Sequence, residues 1–231
     1  MTMQIGILAS DGIILASDTL ANRSPLPNIN VRLIRQTFGI SKIRISANKK
    51  IAVTCARDLI EAYNLADAII AGLPQELWAT PDQRMLEIVW SELNHHQRWH
   101  GIECLVAFVE PHPALYLLQC VKTEQGEQDS VCHRITTYAF AGDASNQSTY
   151  WAMRYLDSLS PEQNRVDTLV PLAAQIVVEA KNFNNAIVSG LEIVICDIAG
   201  FRRFSEVENL QQHENAVRRS KKIEAILFTS P

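Results

Sequence analysis

Two apolar, β-favouring runs, Gln4 to Ala9 and Ile13 to Ser17, are separated only by Ser10-Asp11-Gly12. Asp-Gly between such runs is a strong hairpin signal. The chain is thereby committed to an antiparallel sheet from its first residues. The pairing also has a positional consequence: it carries Asp18 back beside Thr2.

A threonine at a free N-terminus is a self-contained nucleophile. Its hydroxyl attacks, and its own α-amine, with an ordinary pKa of roughly 7.7 to 8.0, serves as the base. Thr2 stands directly behind Met1, and small second residues such as threonine generally permit removal of the initiator. If Met1 stays, the base is an amide and the mechanism fails. Taken alone, Thr2 is also simply a common residue at a fraying end, so its weight comes from the hairpin that returns an aspartate to it. Lys42, in Ser41-Lys42-Ile43-Arg44-Ile45, would lower the pKa of the Thr2 hydroxyl and amine while Asp18 keeps the lysine charged and oriented. On its residues alone Lys42 also fits an edge-strand charge that discourages aggregation.

These residues together resemble the proteasome β-subunits and the bacterial HslV peptidases of the N-terminal nucleophile hydrolase superfamily. Thr2 matches the nucleophile, Gly6 the strand glycine, Asp11-Gly12 the turn, Ala16-Ser17-Asp18 the A-x-D element and Lys42 the catalytic lysine. The resemblance implies an α+β fold, a four-layer α-β-β-α sandwich, over residues 1–231. It also implies that the N-H of Ala56, where the family has glycine, donates to the oxyanion. Asp143, in Gly142-Asp143-Ala144-Ser145, stands where a serine is usual. Ser189 and Gly190 match the end of a D-x-x-S-G element whose aspartate is replaced by Ala186, with Asn184 or Asn185 as possible substitutes.

By the same resemblance the activity is threonine-type hydrolysis of peptide bonds in peptides or unfolded proteins. Identical subunits would form a closed ring served by an ATPase partner. Two other functions stay open: a ring or scaffold subunit whose site has decayed, and a hydrolase of small amides, since one fold serves many substrates.

The remaining residues read as one globular unit without linkers or repeats, 231 residues with 47% hydrophobic content. Arg23 to Gly39, with Pro25 and Pro27, reads as a surface insertion. Helices are expected over Asp58 to Ala71, Pro81 to Trp99, Ser148 to Leu159, Thr168 to Asn182 and Glu206 to Arg219. Strands are expected over Ile102 to Val109, Ala114 to Lys122, Val131 to Ala141, Leu191 to Ile198 and Ile223 to Phe228, with a short extended piece at Phe201 to Ser205. The cluster Arg218-Arg219-Ser220-Lys221-Lys222 would then cap a helix C-terminus.

Cys55, Cys104, Cys120, Cys132 and Cys196 lie in apolar stretches without C-x-x-C spacing, and read as reduced core residues of a cytoplasmic protein. His96 and His100 stand at i, i+4 but lack the acidic third ligand of an H-E-x-x-H site, so neither a metal nor a cofactor is expected. A net charge of -4 gives no footprint for nucleic acid. No apolar run is long enough to span a membrane.

Overall fold

The computed structural model describes residues 2–23, 35–56, 59–73, 83–85, 87–88, 91, 101–109, 112–122, 128–142, 153–160, 162–183 and 189–228. In chain order the strands begin with β1 Met3–Ala9, β2 Gly12–Ser17, β3 Ala21–Arg23, β4 Arg35–Thr37, β5 Ile43–Ile45 and β6 Ile51–Thr54. They continue with β7 Ile102–Phe108, β8 Ala114–Lys122, β9 Gln128–Ile135, β10 Tyr138–Gly142, β11 Glu192–Asp197 and β12 Gly200–Arg203. The helices with full bounds are α1 Leu59–Gly72, α2 Val166–Phe183 and α3 Glu206–Phe228.

The expected hairpin forms, with β1 and β2 paired from Gln4↔Ser17 to Ala9↔Gly12. Its turn is also anchored to a helix. Asp11 Oδ1 accepts the Val166 N-H at 2.8 Å, and Ser10 N donates to Asn164 O at 2.9 Å. The aspartate of the turn therefore satisfies one of the unpaired donors that every helix N-terminus presents.

The strands assemble into two five-stranded sheets, ordered β10-β1-β2-β11-β12 and β5-β6-β7-β8-β9, plus a two-stranded β3-β4 ribbon. Neighbours within both large sheets pair antiparallel. Between the sheets lies an apolar layer drawn from both, including Ile13, Leu15, Val194 and Phe201 from one and Ile43, Ala52, Leu105 and Leu115 from the other. Period-2 alternation sends the other set of side chains outward. Met3, Ile5, Ile7 and Ile14 meet Ala173, Val177 and Ala180 of α2. On the far sheet, Val53, Cys104, Val106 and Leu118 meet Leu65, Ala66 and Ile69 of α1, joined by Met85 and Ile88.

The expected four-layer α-β-β-α sandwich is therefore corrected. The described residues show two facing antiparallel sheets with helices packed on them, and the four layers as such are not shown. Of the helix pair expected on one side, α1 is described whole, and Pro81 to Trp99 lies mostly outside the described residues. His96 and His100 also fall outside them.

Three further expectations change. Val131 to Ala141 is not one strand: β9 and β10 belong to different sheets, and the chain crosses between them at residues 136–137. Apolar residues stand on both sides of the break, so the sequence pattern runs on through it. The insertion is not wholly loop, since Ala21–Arg23 pairs with Arg35–Thr37 at its base. The final strand at Ile223 to Phe228 does not form; α3 continues through it, with Ile223 and Ile226 exposed.

The basic cluster consequently lies within a helix rather than capping one. Arg219 donates to Pro171 O and Gln175 Oε1, each at 2.9 Å, and Ser220 bonds Glu179 and Gln175. These contacts hold α3 along α2.

Candidate functional site

Asp18 follows β2 and Thr2 precedes β1, so antiparallel pairing brings them to one end of the same sheet. Asp18 N donates to Met3 O at 3.1 Å, and Met3 N returns a bond to Asp18 Oδ1 at 2.9 Å. Leu20 N donates to Asp18 Oδ2 at 3.1 Å. Two backbone donors thus fix the carboxylate before any cation arrives.

Lys42 comes from the other sheet, one residue before β5. Its Nζ lies 2.8 Å from Asp18 Oδ2 and 2.9 Å from Thr2 Oγ1. The lysine side chain is 1% exposed and that of Asp18 0%. Burial pushes the Lys42 ammonium below its ordinary value, with Asp18 and Glu192 drawing it back up. Burial likewise raises Asp18, opposed by Lys42 and by the Met3 and Leu20 N-H groups. Desolvating two ions costs several kcal/mol each, and close pairing with supporting hydrogen bonds offsets it. A buried pair held at this cost against one hydroxyl is an arrangement suited to activating that hydroxyl.

The supporting positions behave unequally. Ala56 is buried and its N-H donates to Glu103 O at 3.1 Å, so the donor assigned to an oxyanion is committed to the backbone. Ser189 accepts the Thr19 N-H at 2.9 Å. Gly190 has φ +77°, and a Cβ there would stand 2.0 Å from Thr19 Oγ1, a space only glycine leaves free. Both residues therefore brace the segment next to Asp18. Asp143, Asn184, Asn185 and Ala186 lie outside the described residues.

Gly142, the residue before Asp143, takes φ +90° opposite Met3 in the β1-β10 ladder. A Cβ on it would meet Thr2 O at 1.9 Å. Glu103 Oε2 accepts the Gly142 N-H at 2.6 Å and fixes this close approach.

Several residues at this end of the molecule were not singled out from the sequence. Glu103 is one, and Gln4, whose Nε2 donates to Cys55 O at 2.7 Å, is another. Glu192, Arg203, Ser41 and Tyr63 surround the Lys42 backbone. The available signal was a carboxylate inside or opening an apolar run, Glu103 in Ile102–Phe108 and Glu192 at the start of Glu192–Asp197. Buried carboxylates are rare unless paired.

A solved structure of Anbu from Hyphomicrobium sp. strain MC1, a Gly-1 mutant, covers 100% of this chain and 98% of its own, with TM-score 0.68 and 12% identity. This chain is similar to Anbu in fold. Identity so low carries the architecture and no activity. No family model matches the chain, and no curated protein matches it. The resemblance to proteasome β-subunits and HslV peptidases is corrected accordingly: membership in that family is not shown, and what stands is a distant structural likeness to Anbu. The N-terminal motif fits that family at a handful of positions, too few to carry a family assignment. Among the described residues no helix is long and apolar enough to cross a membrane.

Proposed function

We propose that this chain is a threonine-type peptidase of distant proteasome-like kind, acting through Thr2 once the Met1–Thr2 bond is cut. The observation that carries this reading is the contact of Lys42 Nζ with both Thr2 Oγ1 and Asp18 Oδ2, at 2.9 and 2.8 Å. The buried ammonium stabilises negative charge developing on Oγ as it attacks a carbonyl carbon. The freed Thr2 amine takes the hydroxyl proton and passes it to the leaving amine. Water then attacks the ester on Oγ, the amine takes the water proton, and Thr2 is restored as the acid product leaves.

Peptides or unfolded proteins are the proposed substrates, and a closed ring of identical subunits with an ATPase partner the proposed assembly. Five free cysteines fit a cytoplasmic setting.

A second reading, a ring component that hydrolyses nothing, is favoured by two observations. The Ala56 N-H is already bonded to Glu103 O, and Thr2 is only 4% exposed.

Peptide hydrolysis by natively processed protein, compared with Thr2→Ala and Lys42→Ala variants, separates the readings. The peptidase reading expects loss of turnover in Thr2→Ala and a roughly 100- to 1000-fold fall in Lys42→Ala. Full hydrolysis by Thr2→Ala, or retained Met1 with no turnover, removes it.

A further inference from the structure

Lys42 reaches across from one sheet to a site built on the other, yet it precedes β5 and its N-H is not part of that strand's ladder. The grip on its N-H comes from the opposite sheet. Glu192, the first residue of β11, pairs with Ser17 in the strand register and so stands beside Asp18 at the same sheet end. Its Oε2 accepts the Lys42 N-H at 2.8 Å, and its Oε1 accepts Ser41 Oγ at 2.8 Å.

Arg203, on β12, closes the arrangement. Its Nη1 lies 3.2 Å from Glu192 Oε1 and donates to Ser41 Oγ at 2.8 Å, while Nη2 donates to Ile43 O. Tyr63 donates its hydroxyl to Ser41 O, and Cys55 N to Lys42 O at 2.8 Å. Every polar backbone group from Ser41 O to Lys42 O thus has a partner. Glu192 is 5% exposed in its side chain and Arg203 40%. The arginine faces an open groove of 540 Å³ that it lines with Thr19, Ser41, Gly190, Glu192 and His213.

We infer that Glu192 and Arg203 are positioning residues that clamp the Lys42 backbone and, through their opposed charges, set how readily the Lys42 ammonium gives up its proton. The carboxylate does two jobs with its two oxygens: one fixes where Lys42 starts, the other is held by Arg203 so that it cannot swing away. A bidentate carboxylate inside a low-dielectric interface holds geometry better than a surface ion pair. The charged groups facing Lys42 are Asp18 from the end of β2 and Glu192 from β11, with Arg203 acting from β12 through Glu192. Glu192 is among the groups that raise Lys42 against the effect of burial.

The clamp concerns Lys42 itself, and only its kinetic consequence rests on the reading of Thr2 as nucleophile. The test is a pH titration of the Lys42 Nζ signal by NMR in full-length protein carrying 15N-lysine, assigned with Lys42→Arg. Removing the negative charge in Glu192→Gln should lower the Lys42 midpoint by about half a pH unit or more. Removing the positive charge in Arg203→Met leaves Glu192 uncompensated and should raise it. Shifts of opposite sign are what charge tuning produces, whereas general loosening of the site moves both variants the same way. Should Glu192→Gln not fold, Arg203→Met decides alone: an upward shift supports the clamp, an unmoved or lowered midpoint overturns it.

In the kinetic arm, Glu192→Gln should lower kcat about 100-fold with KM little changed, the signature of a misplaced group rather than lost binding. Wild-type protein without turnover would defeat the Thr2 reading and leave the NMR result to decide the clamp. Glu192→Gln turning over at the wild-type rate with an unmoved Lys42 midpoint would overturn the clamp and leave Thr2 standing.

Discussion

Lys42 Nζ lies 2.9 Å from Thr2 Oγ1 although the two residues belong to opposite sheets. The contact exists because each residue is fixed by something other than the pair. Thr2 is held by its strand and crowded by Gly142, and Lys42 by Glu192 and by Cys55 N. Sheet-on-sheet packing then determines the distance between them. Changes in that packing layer therefore act on the site without touching it.

The buried Lys42–Asp18 pair should show strong non-additivity. Removing one partner strands the other charge, so Asp18→Asn or Lys42→Met alone should each cost about 3 to 5 kcal/mol. The double variant should cost far less than the sum, because no uncompensated charge remains. Urea unfolding of the four proteins measures the coupling.

Stability should depend on pH through the same lysine. Burial lowers Lys42 from its usual value near 10.5. Between the lowered value and 10.5 the unfolded chain holds a proton that the folded chain has released, so stability attributable to Lys42 rises with pH across that window and is lost again as pH falls. The gap in stability between wild type and Lys42→Met should therefore change in favour of wild type as pH rises toward 10.5. Urea midpoints across that range would show it, and a gap independent of pH would contradict the direction.

Gly142→Ala should damage the site from a distance of one backbone. Its φ of +90° disfavours any side chain, and the new Cβ would fall 1.9 Å from Thr2 O. Backbone strain alone costs about 1 to 3 kcal/mol, and relief of the clash has to displace Thr2. Thermal melting should drop and reaction at Thr2 should disappear together. A surviving Thr2 reaction in a destabilised protein would show that the close approach is structural only.

Four of the five cysteines should be unreactive in the native state. The Cys196 thiol is pushed up to about 11 by burial and Asp197, and burial lifts Cys55, Cys104 and Cys120 as well. The thiolate is the reactive form. Alkylation near neutral pH should therefore spare these four and start at the half-buried Cys132. Peptide mapping by mass spectrometry reads the order directly.

The legible parts of this molecule were local. Asp11-Gly12 announced the hairpin, and the hairpin alone placed Asp18 beside Thr2. Lys42 was singled out by its Lys-Ile strand pattern through a family resemblance, and the structure brings it to both residues even though that family is not shown for this chain. The donor expected at Ala56 failed because a β-bridge to Glu103, which depends on the neighbouring strand, takes its N-H. Glu192 escaped notice because the groups it holds, Ser41 and Lys42, lie about 150 positions away in the chain. In α3, Ile223 and Ile226 imitate a strand locally, and the contacts of Arg219 and Ser220 with α2 override that preference. The break between β9 and β10 left no mark because apolar residues stand on both sides of it, Val131, Cys132 and Ile135 before and Tyr138, Ala139 and Phe140 after.

The central claim is that Thr2, freed of Met1, is the nucleophile. Natively processed protein treated with an electrophilic lactone and mapped by peptide mass spectrometry tests it most directly. With Thr2 as nucleophile, the N-terminal peptide begins at Thr2 and carries one acyl adduct on its hydroxyl, and the adduct is absent from Lys42→Ala. An N-terminal peptide that still begins with Met1, or one that begins at Thr2 and remains unmodified under saturating reagent, would contradict it.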